Sequence, residues 1–310
     1  MGCHTRDSVL SGLSLDTAHL TIEVEYACLF QMKSIKRIGI IGNGAVGMLM
    51  ASLFEPDYTV TLYGRVNETS TVTIERTGVT NGTAQVRLYP VTSLVDTEQD
   101  VFFVTTKAHH VEVATERLSG EVPVFICSNG IAHLDFARRR GFHLGVVEHG
   151  VSRDGNRLQH SGLGRIRIGS LGSLEAMSFI ASPLDVVWEA DIEQVVTEKL
   201  FANAIINPIT ALCRVENGAV ASSPYRDIAK AIYAELSVLF DRHVPYTYIE
   251  TIIEKTAHNR SSMLRDIEAG RQTEVDAILT PLLKRADERG ITLTVIPVLQ
   301  KLILGASASC

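Results

Sequence analysis

The sequence predicts an α/β protein, an N-terminal Rossmann-type dinucleotide-binding domain followed by a mostly α-helical C-terminal domain, and three observations predict it. A short apolar run, Arg37-Ile38-Gly39-Ile40-Ile41, leads into the glycine motif Gly42-Asn43-Gly44-Ala45-Val46-Gly47. Small and apolar residues from Ala45 to Phe54 follow, suited to a helix packed on a sheet. After about residue 190 the short apolar runs give way to long helical periods.

A bare GxGxxG says little, because loops collect glycine; a strand before it and a helix after it give it meaning. In that context Gly42 allows the tight turn, Gly44 lets the backbone approach a pyrophosphate, and Gly47 lets the helix lie close to the strand. Asn43, Ala45 and Val46 complete a loop whose amides, at the helix N-terminus, face the phosphates. A plain strand-turn-helix corner is the bland alternative, and the context favours binding.

The second strand reads from Tyr58 to Tyr63 and is followed by Gly64-Arg65. An acid at this tip would take the ribose 2′-hydroxyl of NAD; none is present, and the planar fork of Arg65 fits a 2′-phosphate. The expected cofactor is therefore NADPH/NADP, against the competing reading of Arg65 as a solvated surface arginine.

Further strands are expected at Val101 to Thr105 and Val122 to Cys127, with Lys107 and Ser128-Asn129-Gly130 at the carboxyl edge where open α/β sheets bind ligands. Thr71 to Leu88 alternates and contains the hairpin signal Asn81-Gly82; Val146 to Ile168 is a second hairpin-like region with a turn at Asp154-Gly155. The histidines His109, His110, His149 and His160 have no HExxH or comparable ligand spacing, so they read as solvated loop residues and no metal is expected.

The boundaries follow: 32–190 for the NADP-binding domain, 191–310 for the helical substrate and catalytic domain, and 1–31 as an extension with little structure, Met32 being the expected native start. Met1-Gly2-Cys3 has Arg6 where a myristoylation site wants Ser or Thr. In the second half, Val275, Ile278, Leu279, Leu282, Leu283 and Ala286 predict one helix over Thr273 to Gly290, capped by Thr273 with Asp276 and stopped by Gly290. Pro281 inside it marks a kink or break, since an interior proline costs about 3 kcal/mol.

With 310 residues and 45% hydrophobic composition the chain can bury a large core and fill two domains. A net charge of -6 leaves no excess of positive charge for nucleic acid or anionic lipid. No apolar run approaches the roughly 18 residues of a membrane span, and no secretory signal opens the chain, so a cytoplasmic protein is expected. The five cysteines, Cys3, Cys28, Cys127, Cys213 and Cys310, are odd in number and scattered, which reads as reduced thiols.

A reductase needs a proton donor where negative charge builds on the carbonyl oxygen. Lys199, Asn203 and Asn207 are four apart in succession, which stacks them on one helix face, while Pro208 should disturb that helix just past Asn207. Spacing alone is better explained by a solvated polar stripe. Ser262 offers a donor to a carboxylate; Glu274 in a first helical turn is also explained by the helix dipole.

Taken in order, GNGAVG, TLYGR, VTTKAHH, CSNGIA, EKLFANAIINPITAL, ENG, SSMLRDI and TEVDAI resemble the ketopantoate reductase family over nearly all of residues 35–300. The resemblance implies NADPH-dependent reduction of 2-dehydropantoate (ketopantoate) to pantoate, on the route to pantothenate and coenzyme A. By resemblance Lys199 is the general acid and Glu274 positions substrate or that lysine; Asn203 and Asn207 contact the substrate hydroxyl, Ser262 its carboxylate, and Asn217 lies at the cleft. Lys107 and Asn129 match positions near the cofactor ribose and nicotinamide, and Arg65 matches the 2′-phosphate reader.

The departures are the 1–31 segment, Ala132-His133 where the family often has another glycine, and Pro281. The competing readings are a reductase of another 2-oxo acid and a non-catalytic NADPH sensor; the second would predict loss of Lys199 or Glu274, and both are present. The sequence sets no oligomeric state, and a homodimer is one expectation.

Overall fold

The computed structural model describes residues 35–95, 98–179 and 184–308; the 1–31 segment, Met32, Cys3, Cys28 and Cys310 lie outside them. The chain enters through β1 (Arg37–Ile41), the glycine loop and α1 (Ala45–Phe54), as the apolar pattern predicts. Ile38 and Ile40 pack with α1 on one sheet face, and Ile41 packs on the other, so both faces are covered and the strand is apolar almost throughout. Every residue of α1 from Gly47 to Phe54 is buried.

The strands that follow are β2 (Thr59–Gly64), β3 (Ser70–Gly78), β4 (Gly82–Pro90), β5 (Val101–Val104), β6 (Val124–Ile126) and β7 (His143–Val147). Short helices α2 (Val111–Ala114) and α3 (Leu134–Arg140) sit between the last three. Then come β8 (Gly150–Asp154), β9 (Arg157–Gly162), β10 (Arg165–Gly169) and β11 (Asp185–Trp188). The described strands form one eleven-stranded sheet in the order β11-β10-β7-β6-β5-β1-β2-β4-β3-β9-β8.

From β7 to β4 the neighbours are all parallel. The chain leaves β1 for β2 on one side and returns to β5 on the other, which puts the topological switch point at the carboxyl ends of β1 and β5.

One of the two expected hairpin turns differs in detail. The β3–β4 loop is Val79-Thr80-Asn81, with Gly82 already in the strand; the Asn81 carboxamide accepts from the Gly78 amide at 3.3 Å and donates to its carbonyl at 3.1 Å. The β8–β9 turn falls where expected, with Gly155 in the left-handed region at φ 56°.

The solvated reading of two histidines is wrong. His149 and His160 are 8% and 0% exposed, with His149 Nδ1 3.1 Å from His160 Nε2 and Thr80 Oγ1 2.7 Å from His160 Nδ1. Their polar neighbours in the sequence gave no sign that β8 and β9 pack against α1. Burial, reinforced by His160, pushes His149 down to about 4, and burial pushes His133 down to about 4.

The remaining described elements are helical: α4 (Ile192–Cys213), α5 (Tyr225–Leu239), α6 (Tyr246–Lys255), α7 (Ser262–Glu268), α8 (Val275–Ile278), α9 (Thr280–Glu288) and α10 (Val295–Ala308). Asp191 caps α4 by accepting from the Gln194 amide at 3.2 Å. Pro208 does not end this helix, which runs on to Cys213. The roughly 3 kcal/mol that an interior proline costs is outweighed by burying Ile205, Ile206 and Ile209, each 3% exposed or less, at about 1.5–3 kcal/mol apiece.

The single helix expected over Thr273 to Gly290 is two, α8 and α9. Pro281 lies in the first turn of α9, where a missing N–H leaves nothing unsatisfied. The expected cap is also corrected: Glu274 holds the N-cap position of α8 without a side-chain cap, and Asp276 Oδ1 accepts from Thr280 Oγ1 at 3.2 Å. Gly290, at φ 65°, stops α9 as predicted.

His149 and His133 would titrate near 6.5 in an unfolded chain and near 4 in the fold, so between those values the unfolded chain holds more protons and stability falls as pH falls. The melting temperature should therefore drop from about pH 6.5 to about pH 4, less steeply in His149→Gln. Melting that is flat over this window would show the histidines to be charged or exposed.

Candidate active site

The glycine loop is pinned from both neighbouring strands. The Gly42 amide donates to the Tyr63 carbonyl at 2.8 Å, and Thr105 Oγ1 donates to the Gly42 carbonyl at 3.0 Å. Gly42 sits at φ 118°, and a Cβ on Gly47 would stand 1.9 Å from the Gly42 carbonyl oxygen, so neither position accepts a side chain. At Gly44 a Cβ would meet nothing within 4 Å, which leaves this side of the loop open to a ligand. The residues present fit a dinucleotide pyrophosphate.

At the tips of β2 and β5 the cationic and imidazole side chains converge. Arg65 Nη1 lies 3.4 Å from His110 Nε2, and burial, His109, Arg65 and Lys107 lower the His110 pKa. Lys107 Nζ donates to the Gln272 carbonyl at 2.6 Å and stands 3.8 Å from Asp266, so it links β5 to the segment between α7 and α8.

The loop after β6 reaches the same segment. Asn129 Nδ2 donates to Glu274 Oε2 at 2.8 Å, and the Ile131 amide donates to the Ala277 carbonyl at 3.2 Å. Gly130 makes this approach feasible: at φ 79°, its Cβ would stand 2.0 Å from the Ala277 carbonyl oxygen.

Lys199, on α4, lines a small cavity with Asn129, Gly130 and His133. Its Nζ donates to the Val147 carbonyl at 2.7 Å. Burial lowers the ammonium's pKa, opposed by the charge of Glu274 first and then of Glu148. The Cys127 thiol, fully buried beneath, is pushed up to about 12 by burial and stays neutral. An ammonium with its pKa brought down by burial and a carboxylate opposing that fall can give up and regain a proton.

Asn203, half-buried, and Asn207, 6% exposed, follow Lys199 along α4. The two serines before α7 divide their work. Ser261 is the N-cap, accepting from the Leu264 amide at 3.1 Å and from Thr210 Oγ1 at 2.7 Å, while Ser262 is exposed at the first helical position. Asn217 donates from Nδ2 to Thr256 Oγ1 at 3.0 Å, with its Oδ1 buried and unpartnered among the described residues.

A larger cavity between α3, α4 and α9 holds many charged side chains, but they pair among themselves: Arg138 with Glu193, Arg242 with Asp191 and Glu193, Lys284 with Glu288. The sequence reading missed Val147, whose contribution is a main-chain carbonyl and so carries no residue signal, and Glu148, Asp266 and His110. Asp266 and His110 were within reach, as the aspartate of SSMLRDI and the second histidine of the KAHH stretch.

Two family profiles match the chain: "Ketopantoate reductase PanE/ApbA" over residues 38–173 and "Ketopantoate reductase PanE/ApbA C terminal" over residues 191–306. The chain belongs to the ketopantoate reductase family. It is accordingly an enzyme, an oxidoreductase. A 2-dehydropantoate 2-reductase of Bacillus subtilis is 30% identical over 282 residues, 82% of this chain and 92% of the relative.

One of Archaeoglobus fulgidus is 30% identical over 295 residues, 88% of this chain and 99% of the relative. The crystal structure of a probable 2-dehydropantoate 2-reductase from Bacillus subtilis superposes with a TM-score of 0.78 at 29% identity, covering 87% of this chain and 99% of that one. Among the described residues no helix of this family member is long and apolar enough to cross a membrane.

The roles of Gly44 and Gly47 separate by stability. Gly47→Ala must push α1 from β1 and should cost about 1–3 kcal/mol in urea unfolding, the range for overpacking, whereas Gly44→Ala, in open space, should leave the midpoint unchanged. An unchanged midpoint for Gly47→Ala would contradict the close approach.

Proposed function

We propose that this enzyme reduces 2-dehydropantoate to pantoate with NADPH, Lys199 supplying the proton. The residues up to about 190 hold the cofactor and the helical remainder holds the substrate. The observation that carries the reading is that Lys199, anchored on the Val147 carbonyl at the carboxyl end of β7, lines one cavity with Asn129, whose carboxamide in turn donates to Glu274: one ammonium, one carboxamide and one carboxylate drawn from three separate stretches of chain.

When bound, the reduced nicotinamide supplies a hydride to the C2 ketone. Charge then builds on the ketone oxygen, and Lys199 Nζ delivers the proton that completes the alcohol. Glu274 opposes the loss of that proton to solvent before the substrate arrives, because its negative charge favours the ammonium form. Its bond to Asn129 ties the lysine's electrostatic partner to the loop that borders the cofactor.

Asn203 and Asn207 take the substrate hydroxyl, Ser262 the carboxylate, and Asn217 joins them from the turn after α4. Gly42, Asn43, Gly44, Ala45, Val46 and Gly47 take the pyrophosphate on their amides, with Lys107 and Asn129 at the ribose and nicotinamide. NADPH rather than NADH is favoured by Arg65 at the β2 tip beside His110, with no acid paired to Arg65 among the described residues, and by Lys107 at the β5 tip.

Purified protein with NADPH and a panel of 2-oxo acids tests the substrate; oxidation of NADPH by ketopantoate is expected to exceed that by the others, and a preference for another acid would move the assignment. Lys199→Ala should lower kcat by about two to four orders of magnitude with NADPH affinity nearly unchanged, the usual loss for a positioned acid. Near-normal turnover would remove Lys199 from the role. Arg65→Ala should weaken NADPH far more than NADH, and equal losses would remove Arg65 from the 2′-phosphate.

A further inference from the structure

The strands from β8 to β10 carry four arginines, and three of them pair with acids. Arg157 meets Glu75 at 3.1 Å, Arg165 meets Asp185 at 2.6 Å and Arg167 meets Glu189 at 2.6 Å. Arg153 meets none among the described residues. Its Nε donates to the Gly155 carbonyl at 2.6 Å, closing the hairpin turn on itself, and its Nη1 donates to the carbonyl of Asn43.

Asn43 is the residue between Gly42 and Gly44, so the β8–β9 hairpin lays a guanidinium on the glycine loop itself. The loop has an electrostatic deficit that this would fill. Neither the GNGAVG stretch nor the first turn of α1 contains a cationic side chain, and Arg65 and Lys107 are engaged at the β2 tip and with Gln272. A pyrophosphate bridge carries two negative charges, and main-chain amides with a helix end supply only partial positive charge.

Two of the five N–H donors of the Arg153 fork are committed to carbonyls, which fixes its plane and leaves the others to a ligand. Such a fork matches the paired oxygens of a phosphate.

Building on the cofactor reading above, we propose that Arg153 is a binding residue for the cofactor pyrophosphate, carried to the glycine loop by the β8–β9 hairpin. Its division of labour with Arg65 is then defined: Arg65 reads the 2′-phosphate that only NADPH has, and Arg153 holds the bridge that NADPH and NADH share.

Equilibrium binding by calorimetry, with no turnover required, separates the two. The ligands are NADPH, NADH and 2′,5′-ADP, which has the 2′-phosphate but no pyrophosphate bridge. Arg153→Ala should weaken NADPH and NADH alike, by about tenfold or more for a lost charged hydrogen bond, and leave 2′,5′-ADP unchanged. Arg153→Lys should recover part of the loss, and because Arg153 is exposed the melting temperature should not move in either variant.

Undiminished NADPH and NADH affinity in Arg153→Ala, or a loss confined to NADPH and 2′,5′-ADP, would overturn the assignment. Failure of the unsubstituted protein to bind either dinucleotide would instead remove the cofactor reading on which it rests.

Discussion

The arrangement depends on one desolvated ammonium. Lys199 lies on α4 between Glu198 and the core residues Leu200 and Phe201, which are 2% and 1% exposed, so the helix cannot turn its lysine outward without exposing them. A cation removed from water costs several kcal/mol unless it finds acceptors. Two elements answer that cost from opposite sides: β7 ends so that the Val147 carbonyl faces Nζ, and α8 starts where the charge of Glu274 reaches it.

The requirement propagates outward. For Glu274 to stand there α8 must press against the loop after β6, and that approach is feasible only because Gly130 has no Cβ to meet the Ala277 carbonyl. Asn129 then has Glu274 within hydrogen-bond distance. A glycine in a turn and a carboxylate more than a hundred residues later are thus parts of one electrostatic solution.

What the sequence disclosed follows from the range over which its signals act. The β1–loop–α1 unit was legible because apolar period, glycine spacing and helix composition are local and agree. Pro208 and Pro281 were harder, because a proline's effect depends on surroundings. Within α4, burial on several faces carries the helix through Pro208; around Pro281 the core packing of Ile278, Leu279 and Leu282 is as close, yet the helix restarts one residue before the proline, where its missing N–H leaves nothing unsatisfied.

His149 and His160 read as loop residues because nothing local announces that a hairpin will cover α1. The polar stripe of Lys199, Asn203 and Asn207 illustrates the remaining limit: spacing put the three on one face, but only the fold says whether that face meets water or the end of a sheet.

The protein's net charge of -6 argues against affinity for anions, and the local field argues the other way. Potential at a binding site is set by groups within about a Debye length, about 8–10 Å at ordinary salt, and far less by the whole-chain sum. Some of the acids that make the chain negative are answered where they stand, as in Arg242 with Asp191 and Arg289 with Asp241.

At the carboxyl edge of β1, β2 and β5 the balance is reversed: Arg65, Lys107 and Arg153 gather there, with Asp266 opposite Lys107. A polyanionic ligand approaching a negative protein would therefore be turned away from most of its surface and admitted at this edge, which converts an unfavourable net charge into selectivity for one docking position.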